Sequence, residues 1–460
     1  MTAGSPLLPA RIAILGFARS GRSLASALLH RGVEVSIGDD RPETDFEGTA
    51  PFREAGARFS FGGPDEDLLD GAEWLVLSPG VPLSAPLVGK ARARGLAVLS
   101  EFEVAWRIAE EEVEGENRWI AITGTNGKST TTSWIAHILR RAGRHVALAG
   151  NIGVPLSDFL SERKPRDFVC ELSSFQLEAI DRFRPQVAVL TNVTPDHLDR
   201  YADFEEYRAA KLRLFRNQLE GDVAVVNADD RVAASAETGR ARRLPFSRRA
   251  EASGGAWLEA SALVSEVNGP RRRMLPASEL ALPGAHNLEN ALAAMAATQA
   301  AGASDEVVCE GLRRFHGLPH RTELVAEAQG VRWINDSKGT NVDATLKSIE
   351  GFPEGSVLLI LGGRDKHGDF RALTEPVARA ARQVLTIGEA APLIEEALAG
   401  ALKVERAGTM ARAVERAREL ARPGDVVLLS PACASFDQYK NFEERGNDFA
   451  RLARAAAGQA

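Results

Sequence analysis

Short apolar runs alternate with helical patterns at both ends of this chain. Near the start, the apolar run 11–15 precedes a helical pattern over 21–31, and a second run at 33–37 follows it. The same alternation returns late in the chain, with buried runs at 357–361 and 426–430. Runs of this length between helical segments are typical of a sheet with helices on both faces. The pattern therefore predicts a Rossmann-like α/β sheet at each end.

One apolar run in the middle of the chain leads into a loop that is typical of phosphate binding. The run 119–122 precedes the segment 123–130, and a helical pattern over 131–141 follows. Small residues let the loop amides approach phosphate oxygens, and the helix adds its N-terminal partial positive charge. Lys128 can reach the β and γ phosphates, and Ser129 can hold Mg²⁺. We therefore expect ATP to bind here, although an isoleucine replaces the first glycine of the usual motif.

Acidic and imidazole side chains follow two further apolar runs. Glu171 comes directly after 168–170, while Asp196 and His197 follow 187–190. Open α/β sheets place ligand-binding groups at the carboxyl ends of their strands. A carboxylate and an imidazole in that place can each hold a hard cation near the phosphates. The alternative interpretation is that the acidic side chains cap helices or form turns.

Five segments of the chain together resemble the Mur ligases of peptidoglycan synthesis. They are 123–130, 171–176, 192–199, 284–290 and 430–446. The last segment is long, and it resembles the members of this family that add D-glutamate. The resemblance covers almost the whole chain and is weakest over 230–280.

The resemblance implies an α/β protein of three domains, and 460 residues also exceed what one core normally supports. A Rossmann-like N-terminal domain, 1–110, would hold a UDP-linked substrate. A central P-loop ATPase-like mononucleotide-binding domain, 111–316, would hold ATP, and a Rossmann-like C-terminal domain, 317–460, would hold the amino acid. We expect the acidic stretch 110–117 to form a flexible linker, and residues 240–273 to form irregular or meandering strands.

The resemblance also implies an ATP-dependent ligase that forms an amide bond. The carboxylate of UDP-N-acetylmuramoyl-L-alanine would attack the γ-phosphorus of ATP, and the amine of D-glutamate would then attack the acyl phosphate. Metal ions, Lys128 and the loop amides would stabilise the charge that moves between oxygens. The expected metal is Mg²⁺, as two ions, with Mn²⁺ as an alternative.

Matching the family pattern position by position gives the expected site residues. Those expected to bind ATP are Gly124, Thr125, Asn126, Gly127, Lys128, Ser129, Thr130, Asn287, Asn290, Arg321 and Asp336. Those expected to bind the UDP-linked substrate are Ser20, Asp40, Arg41, Ser78, Gly80 and Asn151. Those expected around D-glutamate are Lys338, Thr340, Lys366, Ser435, Phe436 and Phe442. The expected catalytic residues are Lys128, Glu171, His197 and Lys211, and the expected metal ligands are Ser129, Glu171, His197 and Lys211 as a carbamate. From the residues alone, a helix cap is the preferred explanation of Asn287. By the family pattern, Phe436 stands where a smaller side chain is common.

Lys211 is the only charged residue on an apolar helical stripe formed by positions 204, 207, 211, 214 and 215. Full burial can lower the pKa of a lysine by about 3–5 units, so a buried ammonium would be costly. Either the side chain extends until the ammonium reaches water, or the amine is held neutral and reactive. The resemblance implies the second state, in which CO₂ carbamylates Lys211 and the carbamate joins His197 on the second metal ion.

Composition narrows the class of protein further. A formal charge of −7 argues against a nucleic-acid partner, which would need a basic face. No apolar run approaches the roughly 18–20 residues of a membrane span, and the N-terminus lacks the pattern of a signal peptide. Three widely spaced cysteines predict neither a disulfide framework nor a zinc site. We expect a cytoplasmic monomer.

Three other classes of protein stay open. The turn 16–21 resembles a dinucleotide fingerprint with Ala18 in place of its middle glycine. Together with Asp39, this turn leaves a nicotinamide oxidoreductase as an alternative. A folylpolyglutamate synthetase shares the ATP-binding segments, but its phosphate loop normally lies near the N-terminus. A nucleotide-driven switch without turnover is the third alternative.

Overall fold

The computed structural model contains three sheets, which follow one another along the chain. It describes residues 8–112, 115–282, 284–315, 317–350, 352–366 and 368–458. Each sheet has its own helices, which confirms the predicted α/β class with three domains. The exact positions of the domain boundaries stay predictions. No helix in these ranges is long and apolar enough to cross a membrane.

The first sheet has five parallel strands, whose carboxyl ends form one edge. Its strands are β1 (Arg11–Leu15), β2 (Glu34–Asp39), β3 (Arg58–Phe61), β4 (Trp74–Leu77) and β5 (Ala97–Ser100). Its helices are α1 (Arg19–Leu29), α2 (Ala50–Glu54), α3 (Pro86–Ala93) and α4 (Glu101–Glu112). The strand order β3-β2-β1-β4-β5 reverses between β1 and β4. A ligand cleft is expected outside the carboxyl ends of these two strands, because such a reversal separates the loops that follow them.

The second sheet has nine strands. They are β6 (Arg118–Thr123), β7 (Val146–Gly150), β8 (Asp167–Glu171), β9 (Val187–Leu190), β10 (Val223–Asn227), β11 (Arg242–Ser247), β12 (Ala256–Glu259), β13 (Ala262–Ser265) and β14 (Arg272–Pro276). Its helices are α5 (Lys128–Arg141), α6 (Ser174–Glu178), α7 (Phe204–Leu212), α8 (Arg231–Ala234), α9 (Ala285–Ala300) and α10 (Asp305–Arg314). The order is β14-β13-β12-β11-β10-β9-β6-β8-β7, and β6 is parallel to both of its neighbours. The loops that follow β6, β8 and β9 therefore lie at one edge.

The structure confirms one of the two expectations about irregular segments and corrects the other. Strands β11, β12 and β13 and the start of β14 lie within 240–273, and β12 to β14 form an antiparallel meander. The acidic stretch 110–117 is not simply a linker, because its first three residues end helix α4. That helix continues because Ile108 and Ala109 on its inner face are buried in the core. Residues 113 and 114 lie outside the described residues.

The third sheet has six strands, of which only β15 is antiparallel to its neighbour. Its strands are β15 (Glu323–Ala328), β16 (Val331–Asn335), β17 (Val357–Gly362), β18 (Ala381–Ile387), β19 (Val404–Gly408) and β20 (Val426–Leu429). Its helices are α11 (Val342–Ile349), α12 (Thr374–Ala380), α13 (Ala391–Ala397), α14 (Met410–Leu420) and α15 (Phe442–Ala456). The order is β15-β16-β20-β17-β18-β19. The loops after β16, β17 and β20 share one edge, which faces the phosphate loop of the central domain.

Candidate active site

The phosphate loop joins β6 to α5, and two of its glycines have backbone conformations that other residues rarely adopt. Gly124 has φ of +147°, and a Cβ there would stand 2.0 Å from Thr191 Oγ1. Gly127 has φ of +83°, and its Cβ would stand 2.4 Å from Asn290 Oδ1. Ile122, by contrast, is a buried residue of β6. The missing first glycine therefore leaves the turn intact, because the turn begins at Gly124.

Two lysine side chains converge on this loop. Lys128 Nζ donates to the carbonyl oxygens of Gly124, at 2.9 Å, and Thr125, at 2.8 Å. Lys211 Nζ donates to the same Gly124 oxygen at 2.7 Å and lies 4.6 Å from the ring centroid of Tyr207. Lys211 is buried, so the alternative in which its ammonium reaches water is wrong. Burial lowers the pKa of both lysines, and that of Lys211 falls well below its ordinary value.

Glu171 ends β8 beside the phosphate loop and is buried. Its Oε1 accepts a hydrogen bond from Asn151 Nδ2 at 2.6 Å, whereas its buried Oε2 has no hydrogen-bond partner among the described residues. Burial would raise the pKa of Glu171, but Lys128 and Lys338 outweigh burial, and the pKa is lowered. An ionised carboxylate with one free oxygen is a suitable ligand for a hard cation.

His197 lies in the loop after β9, in the left-handed backbone region with φ of +56°. Its ring packs edge-on against Phe175, with 4.9 Å between ring centroids. Burial lowers the pKa of His197 to about 4, so the imidazole is neutral at neutral pH and has a nitrogen lone pair to donate. Over the part of the chain that the structure describes, no three His, Cys, Asp or Glu side chains form a metal-binding cluster. A cation here would therefore also need phosphate oxygens and water, as Mg²⁺ usually does.

The C-terminal domain contacts the phosphate-loop region through polar side chains. Asp196 accepts from Asn341 Nδ2 at 2.9 Å, and Lys366 Nζ lies 3.4 Å from its other oxygen. Arg321 donates to Ser129 Oγ at 2.9 Å. Loops of two domains thus meet over the phosphate loop, which suits a reaction that must exclude water.

A pocket between these two domains contains most of the residues predicted to bind ATP. Those that line it are Asn126, Gly127, Thr130, Asn287, Asn290, Arg321 and Asp336. His286 and Lys347 also line this pocket, although neither was predicted to bind ATP and only His286 lies in a segment that carries the family resemblance. Lys338 lines it as well, although it was predicted to contact D-glutamate. The roles of all these residues stay predictions.

The first two domains enclose a larger cavity of about 1100 Å³ at the point where the strand order of the first sheet reverses. All six residues predicted to bind the UDP-linked substrate line it, namely Ser20, Asp40, Arg41, Ser78, Gly80 and Asn151. Asn151 connects this cavity to the phosphate loop, because its side chain also binds Glu171. The wall of this cavity is therefore linked by one hydrogen bond to the carboxylate beside the phosphate loop.

Asp39 lines this cavity beside Asp40, although the family pattern implied only Asp40. Asp39 accepts the backbone amide of Phe17 at 2.8 Å and the Arg41 guanidinium at 3.0 and 3.2 Å. Burial would raise the pKa of Asp39, but the hydrogen bonds from Arg41 outweigh burial and lower it. Its position as the last residue of β2 was the available signal.

Five of the six residues predicted around D-glutamate lie on loops of the third sheet, and the sixth, Phe442, is the first residue of α15. Lys338 Nζ lies 4.7 Å from the ring centroid of Phe442, and burial lowers its pKa to about 8. Ser435 is buried, and Lys366 bridges to the central domain. Phe436 is 62% exposed, so its side chain faces solvent. Of the six residues, Phe436 therefore has the least support as a contact of D-glutamate.

Family models match three parts of the chain in order. The Mur ligase MurD-like N-terminal domain matches residues 10–100, the Mur ligase middle domain matches 122–298, and the Mur ligase glutamate ligase domain matches 320–433. The chain therefore belongs to the Mur ligase family, as its sequence segments predict. ATP is the nucleotide of this family, and membership argues against the nicotinamide oxidoreductase.

Curated relatives match the chain over nearly its full length. The UDP-N-acetylmuramoylalanine--D-glutamate ligase of Pelotomaculum thermopropionicum is 43% identical over 450 residues, which cover 96% of this chain and 97% of that protein. The enzyme of the same name from Salinibacter ruber is 43% identical over 456 residues, again with 96% and 97% covered.

Solved structures share the fold at lower identity. The UDP-N-acetylmuramate-alanine ligase of Thermotoga maritima matches with a TM-score of 0.60 at 19% identity. The match covers 97% of this chain and 99% of that protein. A pseudomurein peptide ligase type C from Methanothermus fervidus has a TM-score of 0.58 at 20% identity, with 92% and 96% covered.

We predict that Gly124→Ala lowers ATP turnover by about 10²-fold or more, because the new Cβ displaces a loop that must place phosphate accurately. Turnover is measured as ATP-dependent phosphate release, with circular dichroism to verify folding. Gly89→Ala is the matched control, since a Cβ at that position meets nothing within 4 Å. Unchanged turnover in a folded Gly124→Ala variant would contradict the assigned loop geometry.

Proposed function

We propose that this chain joins D-glutamate to UDP-N-acetylmuramoyl-L-alanine by ATP-dependent amide ligation, in the synthesis of peptidoglycan precursors. Full-length relatives at 43% identity carry the name of this activity. The observation that carries the proposal is the position of Asn151, which lines the 1100 Å³ cavity and binds Glu171 beside the phosphate loop. A UDP-linked substrate in this cavity can thus extend its free carboxylate toward the γ-phosphate of ATP.

The reaction follows from this arrangement in two steps. The substrate carboxylate attacks the γ-phosphorus, ADP leaves, and an acyl phosphate forms. The amine of D-glutamate then attacks the acyl carbon, phosphate leaves, and one amide bond remains. Lys128 and the amides of the phosphate loop stabilise negative charge on the transferred phosphoryl group. Lys338 and Lys366 supply the positive charge that a dicarboxylic amino acid requires.

We further propose Mg²⁺ as the metal, in two ions, with Mn²⁺ as an alternative. The buried free oxygen of Glu171 and the hydroxyl of Ser129 would hold one ion beside the phosphates. Neutral His197 and Lys211, if carbamylated, would hold the other. Bound Mg²⁺ would neutralise charge on the phosphate oxygens as it develops.

The burial of Lys211 supports the carbamate proposal. An amine whose pKa is lowered well below the ordinary value is neutral often enough to attack CO₂. The product is a carboxylate, which replaces a costly buried cation with an anion. That anion would suit a site beside Lys128 and His197.

A cytoplasmic location is part of the proposal. Cys170, Cys309 and Cys433 are all free thiols, which is the usual state in a reducing compartment. The monomeric state stays a prediction.

We predict that phosphate release requires ATP, UDP-N-acetylmuramoyl-L-alanine and D-glutamate together, because each ligand completes one step of the reaction. The test compares D-glutamate with L-glutamate, D-aspartate and D-alanine, and D-glutamate is expected to give the fastest release. Phosphate release that does not depend on the UDP-linked substrate would refute the proposed function. Faster release with another amino acid would refute its specificity.

We predict that Lys211→Ala folds but ligates about 10²–10³-fold more slowly, because the carbamate is lost. Added acetate or formate is expected to restore part of the rate by occupying the place of the carbamate. Lys128→Ala is the control, and neither acid is expected to rescue it, because Lys128 acts as a cation. Wild-type turnover in Lys211→Ala, or equal rescue of both variants, would contradict the carbamate.

A further inference from the structure

Arg200 lies between the first two domains, against the loop that follows β4. Its Nη1 donates to the carbonyl oxygens of Pro79, at 2.9 Å, and Gly80, at 3.3 Å. Its Nη2 donates to the carbonyl oxygen of Val81 at 3.0 Å. One guanidinium group thus holds three consecutive carbonyls of a loop that lines the 1100 Å³ cavity.

The central domain fixes this guanidinium from the other side. Nη2 also donates to Glu178 Oε2 at 3.0 Å, and the guanidinium carbon lies 3.9 Å from the ring centroid of Phe175. The hydroxyl of Tyr201 donates to the other oxygen of Glu178. The Arg200 side chain is only 13% exposed. Its orientation is therefore set by residues of the central domain, independently of the loop that it holds.

This arrangement determines where one amide of the loop points. No peptide bond in the described ranges is cis, so the N–H of Gly80 points away from the Pro79 carbonyl that faces Arg200. Gly80 itself lines the cavity, and a Cβ there would meet nothing within 4 Å. The space at the Cβ position of Gly80 is thus open to a ligand, and an amide fixed beside such a space can donate to an anion.

We propose that Arg200 is a positioning residue for the UDP-linked substrate. By holding the carbonyls of 79–81, it fixes the loop so that the Gly80 amide meets the diphosphate. The inference rests on the proposed function, since it assumes that the cavity binds this substrate. A lysine cannot replace Arg200 here, because a single ammonium lacks the planar fork that reaches three carbonyls and a carboxylate together.

The test compares Arg200→Lys with Arg213→Lys. Arg213 is a matched control because it donates to the carbonyls of Leu177, at 2.9 Å, and Ile180, at 2.6 Å, within the central domain. We expect Arg200→Lys to raise the KM for the UDP-linked substrate about tenfold, the effect of losing one or two net hydrogen bonds. The KM for ATP is expected to change less than about twofold, and Arg213→Lys to leave both values unchanged.

Melting temperatures of the same variants separate positioning from stability. A lower melting temperature in Arg200→Lys with an unchanged ratio of the two KM values would overturn the inference. If Arg200→Lys does not fold, Glu178→Gln replaces it, because it loosens the guanidinium without removing it. Glu178→Gln is expected to raise the same KM selectively, and an unchanged ratio would overturn the inference.

Binding of UDP and of the UDP-linked substrate to the wild-type protein distinguishes failure of the proposed function from failure of the Arg200 inference. If the wild type binds neither UDP nor the UDP-linked substrate, the proposed function fails and the inference fails with it. If the wild type binds the substrate and Arg200→Lys binds it equally well, only the inference fails.

Discussion

The carbonyl oxygen of Gly124 accepts hydrogen bonds from two amines, that of the partly buried Lys128 and that of the buried Lys211. Two like charges near one acceptor are costly in a buried site, and burial lowers the pKa of both groups. Lys338 and Arg321 line the pocket between the central and C-terminal domains. Burial lowers their pKa values as well. Glu171 and Asp196 offset part of this positive charge, and the rest favours a bound anion such as a polyphosphate. The choice of an anionic ligand follows from this charge.

Sheet topology places the rest of the site around that loop. Parallel pairing of β6 with β8 and β9 places the phosphate loop, Glu171 and His197 at one edge. The reversal of strand order between β1 and β4 opens the second cavity, and Asn151 joins the two sites. An acyl-phosphate mechanism needs its reacting groups held close together, and this topology places both candidate sites around the same sheet edge.

Local sequence patterns predicted the α/β class and the phosphate loop, whereas most candidate site residues came from the family resemblance and stay predictions. Strands and the phosphate loop are encoded by short-range periodicity, and the resemblance supplied residues that are distant in sequence. Periodicity left open whether the ammonium of Lys211 reaches water, and the burial of Lys211 in the structure shows that it does not. The role of Arg200 depends on a loop whose first carbonyl partner, that of Pro79, is 121 residues away, so no local pattern could reveal it, whereas Asp39 had a local signal as the last residue of β2. The start of the predicted linker proved helical, because packing of the inner face of α4 outweighed the acidic composition.

The most direct test of the central claim is the proton balance of ATP binding. Calorimetry at pH 8, in two buffers with different heats of ionisation, measures the protons that the protein takes up. Because burial holds the pKa of Lys338 at about 8 and lowers that of Lys128, a bound polyphosphate should raise both and draw protons from the buffer. We predict net proton uptake. The uptake should be smaller in Lys338→Met. It should be unchanged in the control Lys440→Met, because Lys440 is exposed. ATP binding without proton uptake would contradict it.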